Sequence, residues 1–222
     1  MDGAPLFADI LEITLRSLGV SVTAVLIACA LGIPLGTWLA VTRFRGRRLS
    51  VAVLNALMGL PPVVVGLVFY LLLSRAGPLG VFNLLFTPWA MIMAQIVIVL
   101  PLVASITHQV VRDLWAEYRD LLLSLGASRG QRMGILIRDA RRSLMTAALA
   151  GFGRAIGEVG AILIVGGNID HLTRVLTTAI TLETSKGNLI FAVAMGAVLV
   201  GISLCVSVAL HLLSRAERTR PW

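Results

Sequence analysis

Two ionisable side chains, Arg154 and Glu158, lie four residues apart in the middle of an apolar run. At this spacing they would share one face of a helix and could form an ion pair within it. Because a charge at the centre of a bilayer costs from about 3 to more than 10 kcal/mol, we expect both to face the protein interior or water. There they either neutralise each other or line a cavity and shape the field that an ion feels. Beside them Gly153, Gly157 and Gly160 form a strip of small residues that would let another helix approach closely.

A second polar set follows in segment 166–188, which is rich in glycine and threonine. Asn168, Thr177 and Thr178 carry neutral donors, which can bind a doubly charged oxyanion without holding it permanently. For most of the threonines in this segment, however, the favoured explanation is a short helix packed at the rim of the protein.

The sequence holds no arrangement that is typical of an enzyme. It has no P-loop, no HExxH pair, no serine–histidine arrangement and no paired metal ligands, and its run 151–157 is not the G-x-G-x-x-G fingerprint. The two cysteines, Cys29 and Cys205, lie inside apolar runs and indicate neither a disulfide framework nor a metal site. We therefore expect no catalytic residue, no metal and no cofactor bound by this chain itself.

Composition places the chain in a membrane. Hydrophobic residues make up 58% of it and charged residues 14%, about half the charged share of an ordinary soluble domain. The formal charge of +8 could suggest nucleic acid, but the arginines stand in short loops rather than on one folded face. We predict a single, all-α transmembrane domain over residues 1–222 that binds no nucleic acid.

Five apolar stretches are long enough to cross a bilayer, which takes about 20 helical residues. They lie near residues 17–41, 51–74, 88–107, 143–166 and 188–213. Arginines concentrate in the loop 42–50, in segment 112–142 and in the C-terminal tail, and they are sparse in the other loops. The positive-inside rule then predicts an external N-terminus and a cytoplasmic C-terminus.

Prolines should interrupt two of these spans. Pro34 stands in the first span and Pro61-Pro62 in the second, and each proline removes a backbone donor and should kink or break its helix. Carbonyl groups freed at membrane depth are tolerated where they face protein or a water-filled cavity.

Segment 112–142 is the only long polar stretch between the spans. An apolar stripe at helical spacing runs through Leu114, Tyr118, Leu121, Leu122 and Leu125. Gly126 can end that helix in a left-handed conformation, and Ser128 with Gln131 forms a capping box that would begin another. We predict a helix, a sharp break at Gly126-Ala127 and a short second helix, which together suit docking into a groove on another protein. A basic loop held at the lipid headgroups is the alternative.

Residues 120–128, DLLLSLGAS, resemble the EAA signature of ABC importer permeases. Asp120 stands where glutamate is usual, leucines replace the alanines, and Arg138-Asp139 occupies the place of a Leu-Pro pair. Residues 60–66 and 151–160 resemble the second-span and fourth-span motifs of permeases for molybdate, sulfate and tungstate, and residues 166–187 are most similar to the tungstate permease.

The resemblance implies the transmembrane domain of a type I ABC importer, located in the inner (cytoplasmic) membrane of a prokaryote. It implies a homodimer embedded in membrane lipid, two cytoplasmic ATPase subunits that bind ATP and Mg, and an extracytoplasmic substrate-binding protein. The residues implied in coupling to the ATPase are Tyr118, Asp120, Leu121, Leu122, Leu125, Gly126, Ala127 and Ser128. Candidates for the pathway of the anion are Pro61, Pro62, Arg154, Glu158, Asn168, Thr177 and Thr178.

Tungstate is the expected substrate of such an importer, and permeases for molybdate, sulfate or methionine are alternatives within the class. Outside it stand an ATP-independent ion-coupled carrier or channel, and a scaffold that transports nothing. The five-span count disfavours the inverted repeats of many carriers. A scaffold leaves the prolines and the two charges in the fourth span unexplained.

Overall fold

The computed structural model describes residues 3–216, with side chains from residue 8 to residue 209, and this part of the chain is helical with short connections. The helices are α1 (Gly3–Val41), α2 (Arg47–Met58), α3 (Pro62–Leu73), α4 (Pro88–Ser124), α5 (Arg129–Asp139), α6 (Arg141–Ile156), α7 (Gly160–Gly166), α8 (Leu176–Ser185) and α9 (Leu189–Ala216). A 3-10 turn at Gly80–Phe82 lies between α3 and α4.

Three single helices, α1, α4 and α9, are each long and apolar enough to cross a membrane. Two bent pairs complete a set of up to five spans: α2 with α3, at 97°, and α6 with α7, at 58°. The predicted all-α membrane class is confirmed. The third span is longer than predicted, because α4 continues to Ser124 and contains the helix that the polar segment was expected to form separately.

The predicted break at Pro61-Pro62 is present. Pro61 is extended, with φ −65° and ψ 121°, and Pro62 is the first residue of α3. Neither residue has a backbone N–H, so neither leaves a donor unsatisfied at the start of the helix. Pro34, by contrast, does not break α1, which runs through it without interruption.

The fourth span is broken where the sequence predicts a continuous helix. The segment near 143–166 forms α6, which ends at Ile156, and α7, which begins at Gly160. Gly157 and Glu158 therefore lie in the break itself, and the other two glycines of the expected packing strip, Gly153 and Gly160, lie on either side of it.

Close helix crossings hold the bundle together. At the crossing of α1 with α4, a Cβ on Gly36 would collide with the backbone of Ala104. At the crossing of α3 with α7, a Cβ on Gly66 would lie 2.8 Å from Ala161 Cα, and one on Gly160 would lie 2.7 Å from a Val63 methyl group. The buried core between α1, α3, α4 and α7 is apolar, so two small residues set how closely α7 packs on α3.

Replacing Gly66 with alanine should therefore destabilise the bundle. The new methyl group meets backbone atoms of α7 rather than a flexible side chain, and overpacking of this kind costs about 1–3 kcal/mol. We expect a lower midpoint of thermal unfolding for the detergent-purified protein.

Gly19→Ala is the matched control, because a Cβ at Gly19 meets nothing within 4 Å and alanine is the better helix former. An unfolding midpoint of Gly66→Ala equal to that of Gly19→Ala would contradict the close crossing.

Candidate functional site

The turn between α4 and α5, which we call the knuckle (residues 118–132), is fixed from both sides. After α4, the N–H of Gly126 donates to Leu123 O and the N–H of Ala127 donates to Leu122 O, each at 3.1 Å. This pair of bonds is a Schellman motif, and it places Gly126 at φ 67°. Before α5, Ser128 forms the predicted capping box. The predicted helix, break and second helix are confirmed.

The Ser128 capping box is reciprocal. The N–H of Ser128 donates to Gln131 Oε1 at 2.7 Å, and the N–H of Gln131 donates to Ser128 Oγ at 3.4 Å. Arg132 adds a third constraint, because its Nε donates to Ala127 O at 2.6 Å. The knuckle is thus a rigid corner rather than a flexible loop.

Apolar side chains project outward from this corner. Leu121 is 57% exposed and Leu125 is 71% exposed, whereas Leu122 is buried and Tyr118 packs against the cluster around Leu136. The predicted apolar stripe is therefore divided between two faces, one packed against the protein and one presented outward. Asp120 is exposed beside the outward leucines.

The break between α6 and α7 is stabilised by side chains from three directions. Glu158 is 7% exposed, and its Oε1 accepts the N–H of Ala161 at 3.2 Å, at the start of α7. Thr177 of α8 donates its hydroxyl to Glu158 O at 2.9 Å. Gln95 of α4 donates to Ala155 O at 2.9 Å, a hydrogen bond between two spans. Backbone groups that the break frees are thereby hydrogen-bonded.

Of the two roles considered for Arg154 and Glu158, the ion pair is wrong: no ion pair joins them within the described residues. The helix ends between them, so the i, i+4 geometry is lost, and Glu158 turns inward to cap α7. Arg154 is exposed on the surface of the subunit.

The other pathway candidates also divide into exposed and buried residues. Pro61 is exposed and Pro62 is half-buried, whereas Thr178 is buried and its hydroxyl donates to Val175 O at 3.1 Å. Asn168 adopts φ 50°, and its Oδ1 is buried with no hydrogen-bond partner among the described residues. Among the predicted candidates, a hydrogen bond joins Thr177 to Glu158.

A charged cluster at the opposite end of the bundle from the knuckle was not singled out from the sequence. Arg16 of α1 pairs with Glu12 and donates to His171 O at 2.7 Å in the connection from α7 to α8. His171 Nδ1 lies 3.0 Å from Glu12 Oε2, and this carboxylate raises the histidine pKa. Arg174 pairs with Asp170 at 2.7 Å. The i, i+4 spacing of Glu12 and Arg16 in the sequence indicates an ion pair on one face of α1. It does not indicate the contacts with His171, which lies more than 150 residues away in the chain.

The fold is that of a multi-pass membrane protein with up to five spans and a rigid corner that presents exposed leucines. Residues 32–219 match the family described as binding-protein-dependent transport system inner membrane component. The chain is 43% identical over 203 residues to a probable anion ABC transporter permease protein of Haloferax volcanii, covering 89% of this chain and 88% of that protein. It is 42% identical over 203 residues to the tungstate uptake system permease protein TupB of Peptoclostridium acidaminophilum, covering 91% and 89%.

The fold is similar to that of a chain in the inward facing conformations of the MetNI methionine ABC transporter. The TM-score is 0.80 at 17% identity, and the match covers 97% of this chain and 99% of that one. The chain therefore belongs to the family of binding-protein-dependent transport system inner membrane components. Like these relatives it is a permease subunit and not a catalytic subunit.

Removing the Thr177 hydroxyl should destabilise the break in the fourth span. In Thr177→Val the buried Glu158 carbonyl loses its donor, and an unsatisfied buried group costs about 1–3 kcal/mol. We expect a lower unfolding midpoint in detergent, with rescue by Thr177→Ser.

Thr184→Val is the matched control on the same helix, because the Thr184 hydroxyl is exposed and donates only within α8. Equal unfolding midpoints for Thr177→Val and Thr184→Val would refute the role given to Thr177.

The contact between His171 and Glu12 should make stability depend on pH. Because Glu12 raises the histidine pKa, the contribution of the charged pair is complete below pH 6.5, the ordinary value for histidine, and is lost as the pH rises through the raised pKa. The unfolding midpoint of wild type should therefore exceed that of His171→Asn at pH 6, and the difference should disappear by about pH 9. Since the pair is exposed, the effect is small.

Lys186→Gln serves as the control, since it removes an exposed ion pair with Glu183 that contains no histidine. Its effect should be flat over the same pH range. A difference for His171→Asn that is equally flat would contradict a titrating contact.

Proposed function

We propose that this chain is the translocation subunit of an ATP-driven oxyanion importer, and that tungstate is the anion it carries. The 42% identity to a tungstate uptake permease over nine-tenths of the chain supports the substrate. The observation that carries the mechanism is the rigid, outward-facing knuckle at the end of an uninterrupted helix. A chain without a P-loop needs a separate subunit that hydrolyses ATP, and the knuckle is where such a subunit can bind.

In this proposal the knuckle lies in the cytoplasm, as the arginines of loop 42–50 and of segment 112–142 indicate. Leu121 and Leu125 enter a groove on a cytoplasmic ATPase subunit that binds ATP and Mg, with Asp120, Gly126, Ala127 and Ser128 setting the angle of the corner. Apolar anchors of this kind dominate the energy of such contacts. A second copy of the chain engages a second ATPase subunit in the same way.

Movement of the knuckle reaches the membrane through α4. This helix has 37 residues and continues through Pro101 without ending, so it is about 55 Å long at 1.5 Å per residue. At its far part Gln95 holds the end of α6 at Ala155. A displacement at the ATPase is therefore transmitted to the broken fourth span by one continuous helix and one buried hydrogen bond, and it alternates the pathway between outward-facing and inward-facing states.

Arg154 is the residue that we propose to attract the anion. An exposed arginine on a transmembrane subunit is too costly to face lipid, so Arg154 faces the space between the two copies, where its charge favours an oxyanion. Gly153 and Gly157 are exposed beside it and leave room for that passage. Glu158 has turned away into the fold and does not oppose the anion directly.

Gly126→Pro should abolish ATP-driven uptake while the subunit still inserts and assembles. Proline cannot adopt φ 67° and has no N–H for the bond to Leu123 O, so the corner loses its shape. Gly126→Asn is the matched control, because asparagine tolerates the left-handed region and keeps the N–H.

The measurement is uptake of labelled tungstate, with molybdate and sulfate as competitors, into proteoliposomes that hold the complex with its ATPase subunits and binding protein. We expect uptake by wild type and Gly126→Asn and none by Gly126→Pro. Normal uptake by Gly126→Pro would refute the coupling role. Uptake by the isolated chain with no ATPase present would instead establish an ATP-independent carrier, and a preference for molybdate or sulfate would correct the substrate alone.

A further inference from the structure

A basic cleft lies beside the knuckle and shares Arg119 and Asp120 with it. It has a volume of about 310 Å³ and is formed where the end of α1 and the connection after it meet the C-terminal third of α4. Its lining residues are Ala40, Arg43, Arg47, Arg112, Trp115, Ala116, Arg119 and Asp120. Four arginines thus surround one tryptophan, with a single acid at the edge.

The four arginines are not equally available to a ligand. Arg47 is committed to the fold, because its guanidinium donates to Leu39 O at 2.7 Å and Ala40 O at 3.1 Å and so caps α1. Arg112 pairs with Asp113 through an exposed contact at 2.9 Å. Arg43 and Arg119 have no side-chain hydrogen bond or ion pair within the described residues. The cleft therefore holds uncompensated positive charge.

Aromatic residues mark the depth of the cleft in the membrane. Trp38 and Phe44 stack with ring centroids 5.1 Å apart on either side of the end of α1, and both are more than a third exposed. Trp115 lies within the cleft, half-buried. Exposed tryptophan and phenylalanine beside arginines at the end of a membrane helix are typical of the headgroup layer.

We propose that this cleft binds the phosphate of an anionic phospholipid from the leaflet at the basic end of the protein. Arginine suits a phosphodiester because its planar fork donates two parallel hydrogen bonds, and basic pockets between membrane helices bind anionic headgroups. A free oxyanion offers the same chemistry, but the surrounding aromatic residues favour a ligand that stays at the membrane surface. Lipid binding is measured on the purified chain without substrate or ATPase, so its failure is distinguishable from a failure of the transport proposal.

The test is native mass spectrometry of the purified full chain with phosphatidylglycerol or phosphatidylcholine of the same acyl chains. We expect wild type to retain phosphatidylglycerol preferentially. The double variant Arg43→Gln with Arg119→Gln, which removes the two arginines without a partner among the described residues, should lower its retention about thirtyfold, since each arginine near the headgroups contributes on the order of 1 kcal/mol. Arg47 is left in place because it supports α1.

The matched control is Arg45→Gln with Arg138→Gln, which removes the same charge from exposed residues at the same end outside the cleft. An equal loss in this control would show diffuse attraction and overturn the site. Inorganic phosphate and tungstate are each added to the lipid-bound protein. If either displaces the lipid and binds with the same dependence on Arg43 and Arg119, the ligand is a free oxyanion and the proposal is wrong. Unchanged thermal unfolding of both double variants ensures that the loss reports the cleft and not misfolding.

Discussion

Hydrogen bonding of the backbone at the break in the fourth span is the constraint on which the rest of the structure depends. A helix that stops inside a membrane frees N–H and C=O groups that lipid cannot satisfy. Here Gln95 and Thr177 donate to carbonyl groups at the break, and Glu158 accepts an N–H. These three side chains belong to α4, to α8 and to the break itself, so their hydrogen bonds connect α4 and α8 to the broken fourth span.

Because α4 takes part both in the break and in the knuckle, the two sites are mechanically joined. The Schellman motif and the capping box make the corner stiff, and the helix behind it has no interruption. A stiff corner on a continuous helix transmits displacement, whereas a flexible loop would absorb it. The bent pair of α2 and α3 packs on α7 through Gly66, so in the proposed mechanism the second span follows the same movement.

The sequence predicted the features that depend on local chemistry. Gly126, Ser128 and Pro61-Pro62 act on their own backbone, and the corner and the first break are where these residues indicate. The break at Gly157 was missed because glycines at helical spacing also suit a packing strip. Arg154 and Glu158 can form an intrahelical ion pair only if the helix continues between them. The partners of Thr177 and His171 depend on contacts far along the chain, which no local pattern contains.

The central claim is that each α4 acts as a lever. When the two knuckles of the dimer move together, the opposite ends of the two α4 helices should move apart. Pulsed electron paramagnetic resonance tests it on the assembled complex with Cys29 and Cys205 replaced by serine, carrying one spin label per subunit. Labels at Glu117 report the knuckle end and labels at Trp89 the far end, and both residues are exposed. On ATP binding we predict a shorter distance between the two Glu117 labels and a longer one between the two Trp89 labels. A change at Glu117 with none at Trp89 would contradict the lever.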